Sequence, residues 1–303
     1  ADARWLDTFE QSIDAWFSIR PDYALLSAFK KPVVALFADF VFSDYPTLFS
    51  PAVPMEAIMN STRQACHHVS RYICFSEYVK RKQILRNFDI DADRIRVVPH
   101  AYFDYGAISQ VGSLGKREAG EMIRSYARET FGNGTAALGF QHMAMAELLK
   151  YFPFEEVNYV FLSTQARPHK NAALVLRAAE LLRQQYRDIK IIVTAPINWA
   201  ATNDPFSGGI VERGLQWDVL SLSHVPYDVH AALYRCAAVT VHSSPFEGGL
   251  PFTVSEAISM EGPILLADGD VYREFLPRSS WDDFLFNPTS PEELADKIVA
   301  AID

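Results

Sequence analysis

The stretch Asn158 to Pro196, NYVFLSTQARPHKNAALVLRAAELLRQQYRDIKIIVTAP, decides the fold of this chain. NYVFLST opens it as a short, nearly unbroken run of apolar and β-forming residues bounded by polar ones, which predicts a buried strand. From Asn171 to Arg187 the apolar residues Leu174, Ala178, Leu181, Leu182 and Tyr186 recur at helical spacing, so this segment is an amphipathic helix. KIIVTAP then returns to strand. Strand, crossover helix and strand make the βαβ unit of a parallel sheet.

The same alternation continues to the end of the chain. DVLSLSHV, AVTVHSS, PILLAD and FLFNP predict further strands, with helices near 207–216, 227–236, 251–260 and 290–302. Upstream it is less complete: PVVALFADFVF, RYICFS and RIRVVPHA read as strands, with helices near 54–69 and 77–88. Residues 112–154 read as two helices around a break at GNG. Two doubly wound halves facing a cleft are expected, 1–153 and 154–303, with the boundary near Pro153. The expected class is α/β, two Rossmann-like domains, the N-terminal one short or truncated.

A length of 303 residues suits two cores. With 49% hydrophobic and 21% charged residues the composition is that of a folded globular protein. A formal charge of −9 argues against nucleic acid as a partner. Three cysteines, Cys66, Cys74 and Cys236, are too few and too odd for a disulfide framework, so a reducing, cytoplasmic setting is expected. No apolar run approaches the roughly 20 residues of a membrane span, and ADARWLDTFEQS lacks the order of a signal peptide. Any membrane contact, at the inner face, would be peripheral.

Ligands of parallel α/β sheets bind beyond the carboxyl ends of strands. HSSPFEGGLPFTVSEA, residues 242–257, spans such a crossing. Strand AVTVHSS ends there, Glu247, Gly248 and Gly249 form the turn, and Pro251 suits the first turn of the next helix. Glycines let backbone N–H groups approach an anion, and a helix N-terminus adds partial positive charge. The two carboxylates, Glu247 and Glu256, accept hydrogen bonds and donate none, which fits the paired hydroxyls of sugars. Phosphate together with many hydroxyls points to a nucleotide sugar.

This segment is similar to the Glu-rich signature of the family 4 retaining glycosyltransferases, which have the GT-B fold. That family places seven residues between its glutamates; here eight separate Glu247 from Glu256. FLSTQARPHKN, residues 161–171, resembles the family's Arg and Lys segment, with Arg167 and Lys170 at the matching positions. RYICFSEYVKRKQILRNFDIDADRIRVVPHAYFD, residues 71–104, resembles a first-domain segment that reports fold more than chemistry. The resemblance covers roughly residues 32–104 and 157–303.

It implies a hexosyltransferase of glycan or polysaccharide synthesis that takes the hexose of a nucleoside-diphosphate sugar to a saccharide or lipid-linked acceptor. No cofactor and no metal are implied; GDP-mannose is favoured as donor, and UDP-glucose is compatible. Arg167 and Lys170 would stabilise the leaving diphosphate, and Glu247 would orient the sugar. Gly248 and Gly249, with Leu250 beside them, would offer backbone donors, and Glu256 would hold the ribose.

Two departures matter. Only 32 residues precede VVALFADF, without a paired-glycine loop, so a truncated or reduced acceptor-side domain is expected. Where the family has a His-Asp pair, this chain has Ala38-Asp39. Asp39 holds a donor or acceptor hydroxyl, or is a structural strand-end aspartate. His100, ending the strand RIRVVPHA, touches the donor or caps a loop. These departures favour the alternative of a catalytically weakened nucleotide-sugar-binding domain within a larger assembly.

Other motifs carry less. Asp268-Gly-Asp270 spells a metal-binding pattern of another glycosyltransferase fold but sits in a variable loop. Cys66-His67-His68 with Cys74 fits no zinc spacing and reads as core packing. Lys80-Arg81-Lys82 offers cations to a phosphate-bearing acceptor or an anionic lipid, or is a solvated helix face.

Overall fold

The computed structural model describes residues 4–46, 54–132, 140–165, 167–185, 189–200 and 204–303. The chain divides into two compact units. The first comprises Ala1–Ala101 with Phe246–Pro251 and Gly269–Leu276, and the second comprises Tyr102–Pro245, Phe252–Asp268 and Pro277–Asp303.

The second unit is a six-stranded parallel sheet. Its strands are β5 (Tyr159–Leu162), β6 (Lys190–Val193), β7 (Val219–Ser221), β8 (Val239–His242), β9 (Ile264–Ala267) and β10 (Leu285–Phe286). Every residue of β5, β8 and β9 is buried. Continuous apolar strands are what a sheet covered by helices on both faces requires. The order across the sheet is β10-β9-β8-β5-β6-β7, all neighbours parallel. The chain enters at β5, winds outward through β6 and β7, then returns to β8 on the other side. This is the doubly wound order of dinucleotide-binding sheets, and it opens a crevice beyond the carboxyl ends of β5 and β8.

The crossover helices lie close to their expected places: Ala172–Gln185, Pro205–Glu212, Tyr227–Cys236, Phe252–Ser259 and Pro291–Ile302. The helix expected near 207–216 starts and ends a few residues early because Asp204 and Pro205 start it. The Asp204 carboxylate accepts from the Ser207 N–H at 2.9 Å, and Pro205 occupies the first turn. Tyr186 on the expected helix face, and Asn133 and Gly134 of the expected break, lie outside the described residues.

The first unit is a smaller parallel sheet in the order β1 (Trp16–Ser18), β2 (Val33–Leu36), β3 (Arg71–Cys74) and β4 (Ile95–Val97). Its core gathers Leu26, Phe37, Phe40, Tyr72, Val79, Ile84 and Ile95. β1 has no counterpart among the expected strands. The run PVVALFADFVF is strand only over Val33–Leu36, because Val41–Asp44 turns into a helical segment. The helix expected near 77–88 is formed by a π-helical Val79–Ile84 followed by Leu85–Asn87.

The division differs from one at Pro153. Residues 102–153 join the second unit, where the helix Lys116–Gly132 packs on Tyr227–Cys236 and Arg124 reaches Glu155 with both terminal nitrogens, at 2.5 and 2.9 Å. Conversely, Gly269–Leu276 joins the first unit. The Glu274 carboxylate accepts the N–H groups of Glu77 and Tyr78 at 2.9 and 2.5 Å, where the helical segment after β3 begins. Such pairings connect segments about 200 residues apart in sequence and leave no local signature.

The Tyr159 hydroxyl, fully buried in β5, donates to the Leu233 carbonyl at 2.6 Å. That carbonyl also accepts the Ala237 N–H at 3.1 Å, so Tyr159→Phe removes one of its two bonds, and a loss of about 0.5–1.5 kcal/mol is expected in urea unfolding.

Candidate functional site

At the switch point of the second unit, the loop leaving β5 makes two turns. The Lys170 N–H donates to the Arg167 carbonyl at 3.0 Å, forming a short 3₁₀ turn over Pro168–Lys170. Asn171 follows in the left-handed region at φ 51°, which asparagine tolerates better than most residues, and its amide donates to the Pro288 carbonyl at 2.9 Å. Thr164 and Thr194 exchange bonds of 2.8 and 2.9 Å, fixing the loop's start to the end of β6.

The decisive contact is with the end of β8. Buried Ser243 donates to the Lys170 carbonyl at 2.6 Å, and buried Ser244 donates to the His169 carbonyl at 3.1 Å. Both carbonyls of the turn are thereby drawn toward β8. Arg167, on this same turn, is exposed, and Lys170 is half-buried. A turn so fastened offers two cations at the carboxyl end of a parallel sheet, where an anion is expected.

Glu256 lies on the helix after β8, half-buried, in a separate polar cluster. Its Oε2 accepts from the Tyr234 hydroxyl at 2.6 Å. Burial pushes its pKa above the usual carboxylate range, while Tyr234 and Tyr105 oppose that shift by hydrogen bonding. The Tyr105 hydroxyl shares a hydrogen bond of 2.5 Å with His230 Nδ1, and His230 Nε2 shares one of 2.9 Å with Ser163 Oγ. Burial pushes the imidazole down to about 4, so it is neutral near pH 7.

The first unit gathers the remaining candidates at the carboxyl ends of β2, β3 and β4. The segment Phe246–Pro251 is laid across these ends. Phe246 is anchored between Tyr45 and Tyr78, with ring centroids 6.2 and 5.7 Å away. A Cβ on Gly248 would collide with the carbonyl oxygen of Ala38 and stand 3.3 Å from Cβ of Asp39. One on Gly249 would stand 2.9 Å from Cβ of Phe75 and 3.6 Å from the His100 ring. These glycines are therefore required by close packing of backbone on strand ends, whatever ligand their amides meet.

Ser76 completes the arrangement. Its hydroxyl donates to the Gly248 carbonyl at 2.8 Å and accepts the Val79 N–H at 3.1 Å. Glu247 is half-buried and faces His100 electrostatically; burial lowers the His100 pKa and the Glu247 charge partly restores it. Leu250 is half-buried beside Gly249. Asp39 accepts the Val41 N–H at 3.2 Å, a local structural task.

Thus Asp39, His100, Glu247, Gly248 and Gly249 are brought together in the first unit. Arg167 and Lys170 share a turn of the second, and Glu256 belongs to its own cluster there. The sequence reading passed over Ser76, Ser163, His230, Ser243 and Ser244. A serine within two residues of the end of a parallel strand was the available signal for all but His230, which looks like any other residue of an amphipathic helix.

The lesser motifs have structural tasks. Lys80 donates to the Ile95 carbonyl at 3.1 Å and Arg81 pairs with Glu77 at 3.0 Å, so two of the three helix cations serve the first unit internally. Cys66 and Cys74 are buried as free thiols. Among the described residues no three His, Cys, Asp or Glu side chains stand together as a metal requires, and no helix is long and apolar enough to cross a membrane.

Residues 148–303 match the family model described as glycosyl transferases group 1. Among curated proteins, sequence comparison finds no match. The fold is similar to that of HepE from Anabaena in complex with UDP and glucose: TM-score 0.68 at 15% identity, over 99% of this chain and 71% of that one. Sucrose-phosphate synthase from Thermosynechococcus elongatus gives a TM-score of 0.67 at 13% identity, over 99% and 67%. The α,α-trehalose-phosphate synthase (UDP-forming) from Burkholderia xenovorans, in complex with glucose-6-phosphate, gives 0.59 at 15%, over 99% and 69%. The α/β architecture is accordingly that of the GT-B fold.

Two outcomes follow from the site geometry. Gly248→Ala forces backbone apart, and a loss of about 1–3 kcal/mol is expected in chemical denaturation. Folded His230 titrates near 4 and an unfolded histidine near 6.5, so the unfolded chain takes up the extra proton between these values. Stability should therefore be lost as the pH is lowered from about 6.5 to about 4, by on the order of 3 kcal/mol from this group. Glu256, whose pKa is raised, acts in the opposite sense. Comparing unfolding free energies of the parent and His230→Phe at pH 7 and pH 5 isolates the histidine, and the variant should show the shallower loss on acidification.

Proposed function

The chain belongs to the glycosyl transferases group 1 family, and from that premise we propose that it transfers a hexosyl unit from a nucleoside-diphosphate sugar to a hydroxyl of a saccharide or lipid-linked acceptor. The reaction proceeds with retention of configuration and without a metal ion. The observation that supports this reading most is the Arg167–Lys170 turn, fastened by Ser243 and Ser244 at the switch point of a doubly wound sheet. That HepE is held with UDP and glucose, and that the trehalose-phosphate synthase is UDP-forming, is in keeping with such a donor.

Departure of the nucleoside diphosphate builds negative charge on its outer phosphate, and a guanidinium and an ammonium offset that charge as it develops. Arg167 binds two oxygens at once, while Lys170 acts as a point charge. Glu256 takes the ribose hydroxyls: with one oxygen bonded to Tyr234, the carboxylate retains further acceptor capacity. Glu247 takes hydroxyls of the transferred sugar. The acceptor attacks on the face from which the diphosphate leaves, through an oxocarbenium-like transition state, and the departing diphosphate receives its proton.

The test is turnover with GDP-mannose and with UDP-glucose, read as nucleoside diphosphate released with and without acceptor. Lys170→Ala should lower kcat by about 10²–10³-fold, or about 2.7–4 kcal/mol. Turnover close to that of the parent would contradict the role. Thermal stabilisation by GDP or UDP without any release of diphosphate would instead identify a binding module.

A further inference from the structure

The helix Tyr227–Cys236 carries a row of rings on one face, because residues three and four apart lie one above the other on a helix. His230 and Tyr234 are the inner members, with ring centroids 5.1 Å apart, and the rings of Phe161 and Tyr105 pack on both. Tyr227 is the outer member and is 70% exposed. On the helix Phe252–Ser259, Phe252 and Glu256 are likewise one turn apart; Glu256 is held by Tyr234, while Phe252 is 49% exposed. The half-buried Phe103 ring stands between the two open ones, 6.4 Å from Tyr227 at an interplanar angle of 28° and 6.3 Å from Phe252 at 69°. Single exposed rings are ordinary on a protein surface, but rings joined in this way form a contiguous apolar patch, and such a patch marks a place of binding.

Its place is the ligand end of the second unit. The two helices follow β7 and β8, so Tyr227 and Phe252, the first residue of each, stand at the carboxyl ends of a parallel sheet. Tyr227 is one turn from His230, and His230 Nε2 shares a hydrogen bond of 2.9 Å with Ser163, where the loop bearing Arg167 and Lys170 begins. Phe252 is one turn from Glu256. The patch thus lies about 5 Å outward of residues that belong to, or touch, the candidate phosphate and ribose sites.

We propose that Tyr227 and Phe252, supported by Phe103, form the subsite for the heterocyclic base of the donor nucleotide. This rests on the donor reading above, and it adds the base, the part of a nucleoside diphosphate that Arg167, Lys170 and Glu256 leave unheld. A base presents two apolar faces and keeps its polar groups on its edge, so an open aromatic surface receives it by stacking. Stacking tolerates any base, but a fused two-ring purine covers more of the aromatic surface than a one-ring pyrimidine. The patch therefore favours a purine nucleotide, GDP over UDP.

Calorimetric affinity of the full chain for GDP, UDP and ribose 5-phosphate tests the assignment. The parent should bind GDP more tightly than UDP. Tyr227→Ala should weaken GDP binding roughly 5- to 150-fold, Phe252→Ala should fall in the same range, and Tyr227→Phe, which keeps the ring, should bind as the parent does. UDP should lose less, so the preference for GDP narrows in both alanine variants. Ribose 5-phosphate, which has no base, should bind all of them alike. GDP affinity unchanged in both alanine variants, or a loss shared equally by ribose 5-phosphate, would overturn the subsite. Variants that keep GDP but lose affinity for a disaccharide such as maltose would overturn it in favour of a saccharide platform. Tyr227 is exposed, so its variants report on binding rather than on folding. If the parent binds neither GDP nor UDP, the donor reading itself fails and the subsite with it; if it binds either, the variants decide the subsite alone.

Discussion

Two serine hydroxyls at the end of β8 hold the second unit's candidate site in place. Ser243 and Ser244 are buried, and burial makes an unpaired hydroxyl costly, so each must find an acceptor. The carbonyls of Lys170 and His169 are those acceptors. A loop that could otherwise drift over the sheet is thereby bound to the neighbouring strand, and its cations are presented where the strand order reverses. Parallel pairing of β5 with β8 is the precondition, because only then do both loops emerge on the same side.

The first unit solves a related problem with glycine. A segment from far along the chain lies across the ends of β2, β3 and β4, and at Gly248 the approach to the Ala38 carbonyl leaves no room for a side chain. Ser76 links the Gly248 carbonyl to the turn that begins the following helical segment, so one hydroxyl serves the segment and the helical start together. Glu247 and Glu256, adjacent in any sequence signature, consequently belong to different compact units and meet different surroundings. Glu247 faces a half-buried histidine, and Glu256 faces two tyrosines.

Much of the second unit was legible in the sequence. Fully buried parallel strands must read as apolar runs, so NYVFLST, AVTVHSS and PILLAD announced β5, β8 and β9 without ambiguity. The first unit was less legible because its strands are not buried throughout, so they do not read as unbroken apolar runs: Trp16–Ser18 has one buried residue and is too short to show a period, and PVVALFADFVF continues apolar beyond its strand because Phe37 and Phe40 enter the core off the sheet. The compact units also divide the chain elsewhere than at Pro153. Helices between two sheets carry no mark of the sheet they join, and the Arg124–Glu155 pairing that ties 116–132 to the second unit spans 31 residues.

The sequence by itself determined the strand and helix alternation, the presence of a glycine pair in a turn, and the identity of the cations and carboxylates. These are local properties, set by periodicity, side-chain volume and charge. Only the tertiary structure decided that Ser243 and Ser244 fasten the cationic turn, that His230 stands between Ser163 and Tyr105, and that Phe246–Pro251 packs with the first unit. Each of those depends on hydrogen bonds or packing between residues about 60 to 170 positions apart. A buried polar group chooses its partner by what folding places within about 3 Å, and that distance is written in no single stretch of the chain.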